Sequence, residues 1–209
     1  MCGIAGFCNW KRDWEKNIRK MNERMRHRGP DASGIWASED GDVVLGHQRL
    51  SIVDLSENGA QPMQSHSGRF EMVFNGEIYN YREIAKRLIE EKKVDRFRGS
   101  SDTEVLLEAM EHMGIEEAIS LCKGMFAIAL YDKKERRLYG CFVFGSDIGS
   151  ISVLDGFSNE INRDVLDIYF VHGYIPAPYS IYEDIWKLEP GCILTLEAPF
   201  SRPSVKTFW

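Results

Sequence analysis

At 209 residues with 44% hydrophobic content, the chain can bury one good core but has no room for two full catalytic domains. A net charge of −6 and a pI near 5.5 leave no basic stripe for nucleic acid, and no apolar run approaches the roughly 18–20 residues that span a bilayer. The five cysteines Cys2, Cys8, Cys122, Cys141 and Cys192 form no C-x-x-C pair and leave one over under any disulfide pairing, which reads as a reducing, cytoplasmic setting.

Cys2–Cys8 reads as a short buried strand. Trp14, Ile18, Met21 and Met25 recur at helical spacing, predicting a helix over Trp14–Met25 whose stripe is core rather than a partner groove. His27–Gly34 is a loop by its Gly and Pro content. Val43–Leu45, Leu50–Val53 and Phe70–Phe74 read as strands. Tyr81–Glu91 and Thr103–Met113 read as amphipathic helices, the second preceded by the cap candidates Ser100, Ser101 and Asp102. Met125–Asp132 and Leu138–Cys141 read as strands joined by a charged turn, and Phe142–Phe144 as a third. Hairpins interspersed with helices, without regular βαβ alternation, predict a layered α+β fold.

Cys2 carries the chemistry. Removal of Met1, which a small second side chain permits, leaves one residue with both a thiol and a free α-amine, and an amine with a pKa of about 7.7–8.0 can take the thiol proton without a histidine. Taken alone, Cys2 is more readily a buried strand residue, and only the motifs downstream reverse that preference. Three polar groups accompany it. Arg49 abuts an apolar stretch and calls for a fixed carboxylate, internal or on a ligand. Asn75 and Gly76 offer a side-chain amide and an approachable backbone N–H side by side, as an oxyanion hole requires, although Asn-Gly is more often a hairpin turn than an oxyanion hole. Asp102 either caps a helix or binds an ammonium group. Jointly they describe a site for an α-amino acid with a reactive side-chain carbonyl. His66 and His112 read as surface residues, the other cysteines as structural, and no cluster has metal-ligand spacing.

The motifs Cys2–Gly6, His27–Asp31, His47–Asp54, Gln61–Met63, Asn75–Asn80 and Ser101–Glu104, with Phe142–Asp147, Gly173–Pro178 and Lys187–Gly191, together resemble the class II glutamine amidotransferase domain of glutamine-hydrolysing asparagine synthetases. The resemblance implies an N-terminal nucleophile hydrolase fold, a four-layer αββα sandwich of two antiparallel sheets between helices. It implies that Cys2 attacks the side-chain amide of L-glutamine while Asn75 and the Gly76 N–H hold the oxyanion. Arg49 would bind the substrate carboxylate, Glu77 and Asp102 its amino end, and backbone around Leu50, Ile52 and Val53 would line the pocket, with His27–Asp31 in a loop nearby. Ammonia would pass to a synthetase domain acting on aspartate activated as an adenylate. ATP and Mg²⁺ would belong to that absent domain, so no cofactor and no metal are expected in this chain.

The sequence departs from the family where Cys141 runs directly into Phe142 without an Arg-Asp-Arg-x-Gly-x-Lys-Pro-Leu-Tyr-Tyr-like stretch. Either a hairpin-sized segment has been lost, or the sequence joins the two flanks of a disordered loop; the similarly abbreviated Gly149–Asp155 favours the second. Residues 2–190 are read as the amidotransferase domain and 191–209 as the start of a linker. Other readings kept open are a different acceptor such as a sugar carboxylate, a glutaminase domain of another class II enzyme, and a non-catalytic module, with a homodimer among the assemblies.

Overall fold

The computed structural model describes residues 1–10, 13–135, 142–196 and 203–208. In chain order the elements are β1 (Gly3–Cys8), α1 (Trp14–Arg24), β2 (Ala32–Ala37), β3 (Val43–Arg49), β4 (Met63–Gln64), β5 (Phe70–Ile78), α2 (Tyr81–Glu90), α3 (Asp102–Met113), α4 (Ile115–Leu121), β6 (Gly124–Asp132), β7 (Phe142–Gly145), α5 (Ile148–Ile151), α6 (Leu166–His172), β8 (Cys192–Thr195) and β9 (Ser204–Thr207). All strand pairs are antiparallel: a sheet in the order β2-β3-β1-β7, a second in the order β4-β5-β6, and the hairpin β8-β9. The expected strand at Leu138–Cys141 lies outside the described residues.

Alternation along the strands explains the packing. On β1, Ala5 and Phe7 meet α1, whereas Ile4 and Cys8 point the other way, to Val73 and Tyr131 of the second sheet. On β3, Val44 faces α1 while Val43 and Leu45 face the second sheet. The far face of β5 carries Phe70, Met72, Phe74 and Ile78 into a third cluster with Ile84 and Leu88 of α2 and Val105, Leu106, Leu107, Ala109 and Met110 of α3. The two sheets therefore lie face to face, with α1 on one outer side and α2 and α3 on the other.

The helical stripe of α1 is core as expected, with Ile18, Met21 and Met25 fully buried. Ser101 provides the cap of α3, its Oγ accepting the Glu104 N–H at 3.2 Å. His66 and His112 lie at the surface, yet both reach buried carboxylates: His66 Nε2 is 2.8 Å from Glu104 and His112 Nε2 is 3.8 Å from Glu108.

Three expectations are corrected. Val43–Leu45 is too short, because β3 continues along β1 and β2 to Arg49. Leu50–Val53 is not a strand: β3 runs unbroken to Arg49, and there its neighbours end, β1 opposite Gln48 and β2 opposite Arg49. With no ladder left to join, the chain leaves the sheet; the Ser51 N–H goes to Asp31 Oδ2 at 2.7 Å, and Ile52 is left 69% exposed. Phe70–Phe74 is in turn too short, because β5 continues to Ile78 and pairs Asn75 with Ala127 and Gly76 with Phe126. Asn-Gly is thus mid-strand rather than a hairpin turn; nine residues of β6 outweigh a two-residue local preference.

Replacing Met21 by Ala removes a fully buried side chain between α1 and the first sheet. Urea unfolding is expected to register a loss of about 2–5 kcal/mol with an unchanged m-value.

Candidate active site

Cys2 stands immediately before β1, half-buried, and continuing the alternation of Ile4 and Cys8 sets it on the face turned toward the second sheet. Its thiol meets the backbone of Leu50: the Leu50 N–H lies 3.4 Å from Sγ and the Leu50 carbonyl 3.6 Å away. This follows from register, since Gly3 pairs with Gln48 and brings Cys2 beside the end of β3. Arg28 fixes the same residue from the loop side, its Nε donating to the Cys2 carbonyl at 3.1 Å. Met1 is 75% exposed, so the bond ahead of Cys2 is open to an aminopeptidase.

Asn75 and Gly76 come from the facing strand. Asn75 shares its strand face with Val73, toward the first sheet, and its Oδ1 is buried without a hydrogen-bond partner among the described residues. Because amide oxygen and nitrogen are interchangeable by a flip, this is an amide with a free hydrogen-bonding end, aimed between the sheets.

The direction of the Gly76 N–H follows from the ladder. Odd-numbered residues of β5 turn their backbone groups toward β6, as the bonds Lys133 N–H to Arg69 O and Tyr79 N–H to Lys123 O demonstrate at its two ends. Even-numbered residues turn them to the opposite edge, where β4 covers only Glu71 and Met72. On that edge the Phe74 N–H donates to Gln61 Oε1 at 2.6 Å, the Phe74 carbonyl meets His47 Nε2 at 3.2 Å, and the Ile78 N–H donates to Asp102 Oδ2 at 2.9 Å. The Gly76 N–H lies between them and has no partner among the described residues. Glycine is required here by β6, since a Cβ would stand 2.3 Å from the Met125 carbonyl and 2.5 Å from Phe126 Cα.

Arg49, half-buried at the end of β3, donates to the carbonyls of Asp54 and Ser56. Two carbonyls hold the guanidinium but do not neutralise it, and no carboxylate lies within ion-pair distance among the described residues. The internal partner that its position suggested is therefore not found there, which leaves the ligand option. The loop that supplies the carbonyls is tied by Asp54, whose carboxylate accepts from Ser56 N, Ser56 Oγ and Ser100 N at 2.6–2.8 Å. Those bonds, the Ser100 N–H first, hold its pKa down at about 2. Sequence reasoning missed Asp54; its only signal is an Asp two residues before a Ser, a common turn pattern.

Asp102 is buried, with Oδ2 on Ile78 N and Oδ1 on its neighbour Thr103 N at 2.9 Å each. Burial raises its pKa, and the nearby exposed Glu77 raises it further. A cation beside Asp102 would favour its charged form. Of the expected pocket lining, Leu50 touches the thiol directly, while Ile52 and Val53 extend into solvent at 69% and 39% exposure. Among the described residues no group of His, Cys, Asp and Glu is arranged to hold a metal ion.

The fold thus sets a thiol against the end of β3, an arginine held only by carbonyls at that same strand end, and, on the facing sheet, an amide and an N–H without partners among the described residues. The chain belongs to the glutamine amidotransferase domain family, whose profile matches residues 1–209. Within that family its relatives include glutamine-hydrolysing asparagine synthetases. It is 35% identical to asparagine synthetase (glutamine-hydrolyzing) 1 of Bacillus subtilis, over 100% of this chain and 35% of that protein. To the putative asparagine synthetase (glutamine-hydrolyzing) 2 of Methanocaldococcus jannaschii it is 32% identical, over 90% of this chain and 42% of the relative. A third relative, amidase chry2 of Gibberella zeae, is 43% identical over 66% of the chain and 22% of its own length. The chain thus spans well under half the length of these relatives.

His47 supplies a test that needs no substrate. Burial lowers its pKa from 6.5 to about 4, with the Arg49 charge adding to the effect and the bond to Phe74 opposing it. The unfolded chain takes up this proton as pH falls through 6.5 and the folded chain does so only near 4, so stability from this group is lost across that window and levels off below it. In paired urea titrations at pH 7 and pH 4, wild type is expected to lose more stability than His47→Gln, by on the order of 3 kcal/mol.

Proposed function

We propose that the chain is a glutamine-hydrolysing amidotransferase with an N-terminal nucleophile hydrolase fold, the αββα sandwich. The observation that carries the reading is the Cys2 thiol lodged on the Leu50 backbone, next to Arg49, whose charge has no acidic partner among the described residues. After loss of Met1, the Cys2 α-amine accepts the thiol proton and the thiolate attacks the side-chain carbonyl carbon of L-glutamine. Asn75 and the Gly76 N–H stabilise the developing oxyanion. As the C–N bond breaks, the amine returns its proton to the leaving nitrogen, and ammonia departs. Water then adds to the thioester and releases glutamate, restoring the thiol. Arg49 holds the substrate carboxylate, Glu77 and Asp102 the ammonium group, and the backbone of Leu50, Ile52 and Val53 lines the pocket.

Ammonia serves a synthetase partner domain, where ATP and Mg²⁺ activate a carboxylate, most simply that of aspartate. Support for a partner comes from the stretch through α6, which buries none of its own residues and leaves Phe170, Val171 and Trp186 at 78%, 77% and 67% exposure. A different acceptor is the second reading, favoured by the similarity to a relative whose name is amidase rather than asparagine synthetase. No helix among the described residues is long and apolar enough to cross a membrane; the reading includes a cytoplasmic setting.

Purified protein of verified intact mass is expected to lack Met1 and to release glutamate from glutamine, and Cys2→Ala to fold but not turn over. Residual turnover in Cys2→Ala would overturn the nucleophile assignment. Asn75→Ala is expected to lower kcat by about 10²–10³ with KM little changed. Arg49→Ala should act chiefly on KM for glutamine.

A further inference from the structure

We propose that His47 and Gln61 are positioning residues for the oxyanion donors: from opposite ends they hold the backbone of Phe74, and so set Asn75 and Gly76 against the sheet that carries Cys2. The inference rests on the amidotransferase reading and extends it to two residues that touch no substrate.

One edge of β5 is unfinished. Past Met72 the strand has no neighbouring strand on the β4 side among the described residues, and Phe74 itself is buried. Its N–H and C=O would each cost about 1–3 kcal/mol if unpaired. A longer β4 would satisfy them, but its next rungs would also cover the Gly76 N–H. Side chains satisfy Phe74 alone. Gln61, in the loop before β4, accepts the Phe74 N–H at 2.6 Å, and His47, on β3, meets the Phe74 carbonyl at 3.2 Å. Both are buried, at 8% and 1% exposure.

The His47 bond also links the two sheets. Its ring lies on the face of β3 turned to the second sheet, three residues before Leu50, whose backbone receives the Cys2 thiol. One strand thereby carries both the seat of the nucleophile and the tether of the residue preceding Asn75. Gln61 adds a second fixed point, because its amide lies 3.4 Å from Thr103 Oγ1 and Thr103 follows Asp102, which holds Ile78 two residues beyond Gly76. Oxyanion donors must sit within about 0.5 Å of their productive position, so a strand held on both sides of Gly76 and left open at Gly76 is suited to the task.

The test compares glutamine hydrolysis, and the affinity of the aldehyde analogue of glutamine that adds to Cys2 as a hemithioacetal, across variants. His47→Leu removes the donor and His47→Gln keeps an N–H at the same reach; Gln61→Met removes the acceptor and Gln61→Glu keeps it. His47→Leu and Gln61→Met are expected to lower kcat about tenfold or more and to weaken the aldehyde in proportion, with KM within about threefold. His47→Gln and Gln61→Glu should recover most of both. If His47→Leu does not fold, Gln61→Met tests the other end of the same residue. Wild-type kcat in the folded deletion variants overturns the proposal, as does a loss that the conservative variants fail to recover. Asn75→Ala in the same series separates the two levels: if it retains full kcat the oxyanion reading itself falls, whereas an impaired Asn75→Ala beside unimpaired His47→Leu and Gln61→Met rejects the positioning role alone.

Discussion

The edge of β5 that β4 does not reach is the constraint on which the rest of the site depends. A strand edge inside a protein must have its backbone groups satisfied, and here this is done from three directions: a loop glutamine, a histidine from the facing sheet and an aspartate at the start of α3. Each is anchored in a different element, so the edge gathers the first sheet, the loop before β4 and α3 around one stretch of backbone. A sheet completed by another strand would have had no polar opening. The opening at Gly76 is what remains when the other edge groups are satisfied.

The charges around that opening are similarly incomplete. Arg49 is held by carbonyls that orient it without cancelling its charge. On the other side, burial and the neighbouring Glu77 charge raise the cost of ionising Asp102. On the proposed reading, a zwitterionic amino acid laid across them, its carboxylate at the guanidinium and its ammonium at the acids, would supply both missing counter-charges and leave its side chain to extend toward the thiol.

How much of this was legible in the sequence depended on whether a residue acts through its own chemistry or through another residue's backbone. Cys2, Arg49, Asn75 and Asp102, the residues on which the proposed site rests, carry a thiol, a charge or an amide that draws notice in the sequence itself, and the Trp14–Met25 stripe follows from periodicity. His47, Gln61 and Asp54 act by hydrogen-bonding main-chain atoms distant in sequence, at separations of 27, 13 and 46 residues. No local pattern encodes such a partner. Two of the misjudged strand ends share a cause: Leu50–Val53 has strand-like residues but no neighbouring strand, whereas Asn75-Gly76 has turn-like residues but a full-length neighbour in β6. Ladder partners, not propensities, decided both.

The close approach of β6 behind Gly76 has an evolutionary consequence. With the Met125 carbonyl and Phe126 Cα where any Cβ would go, no other amino acid is sterically admissible while β6 keeps its path. The position is frozen by packing before selection on chemistry can act, and it would stay glycine in a descendant that had lost its activity. Asn75, half-buried and with its amide oxygen unpartnered, is under no such steric embargo. In a lineage drifting away from catalysis, Asn75 would be the first of the two to change, so divergence at that residue with Gly76 retained would mark a domain that kept its architecture and gave up its reaction.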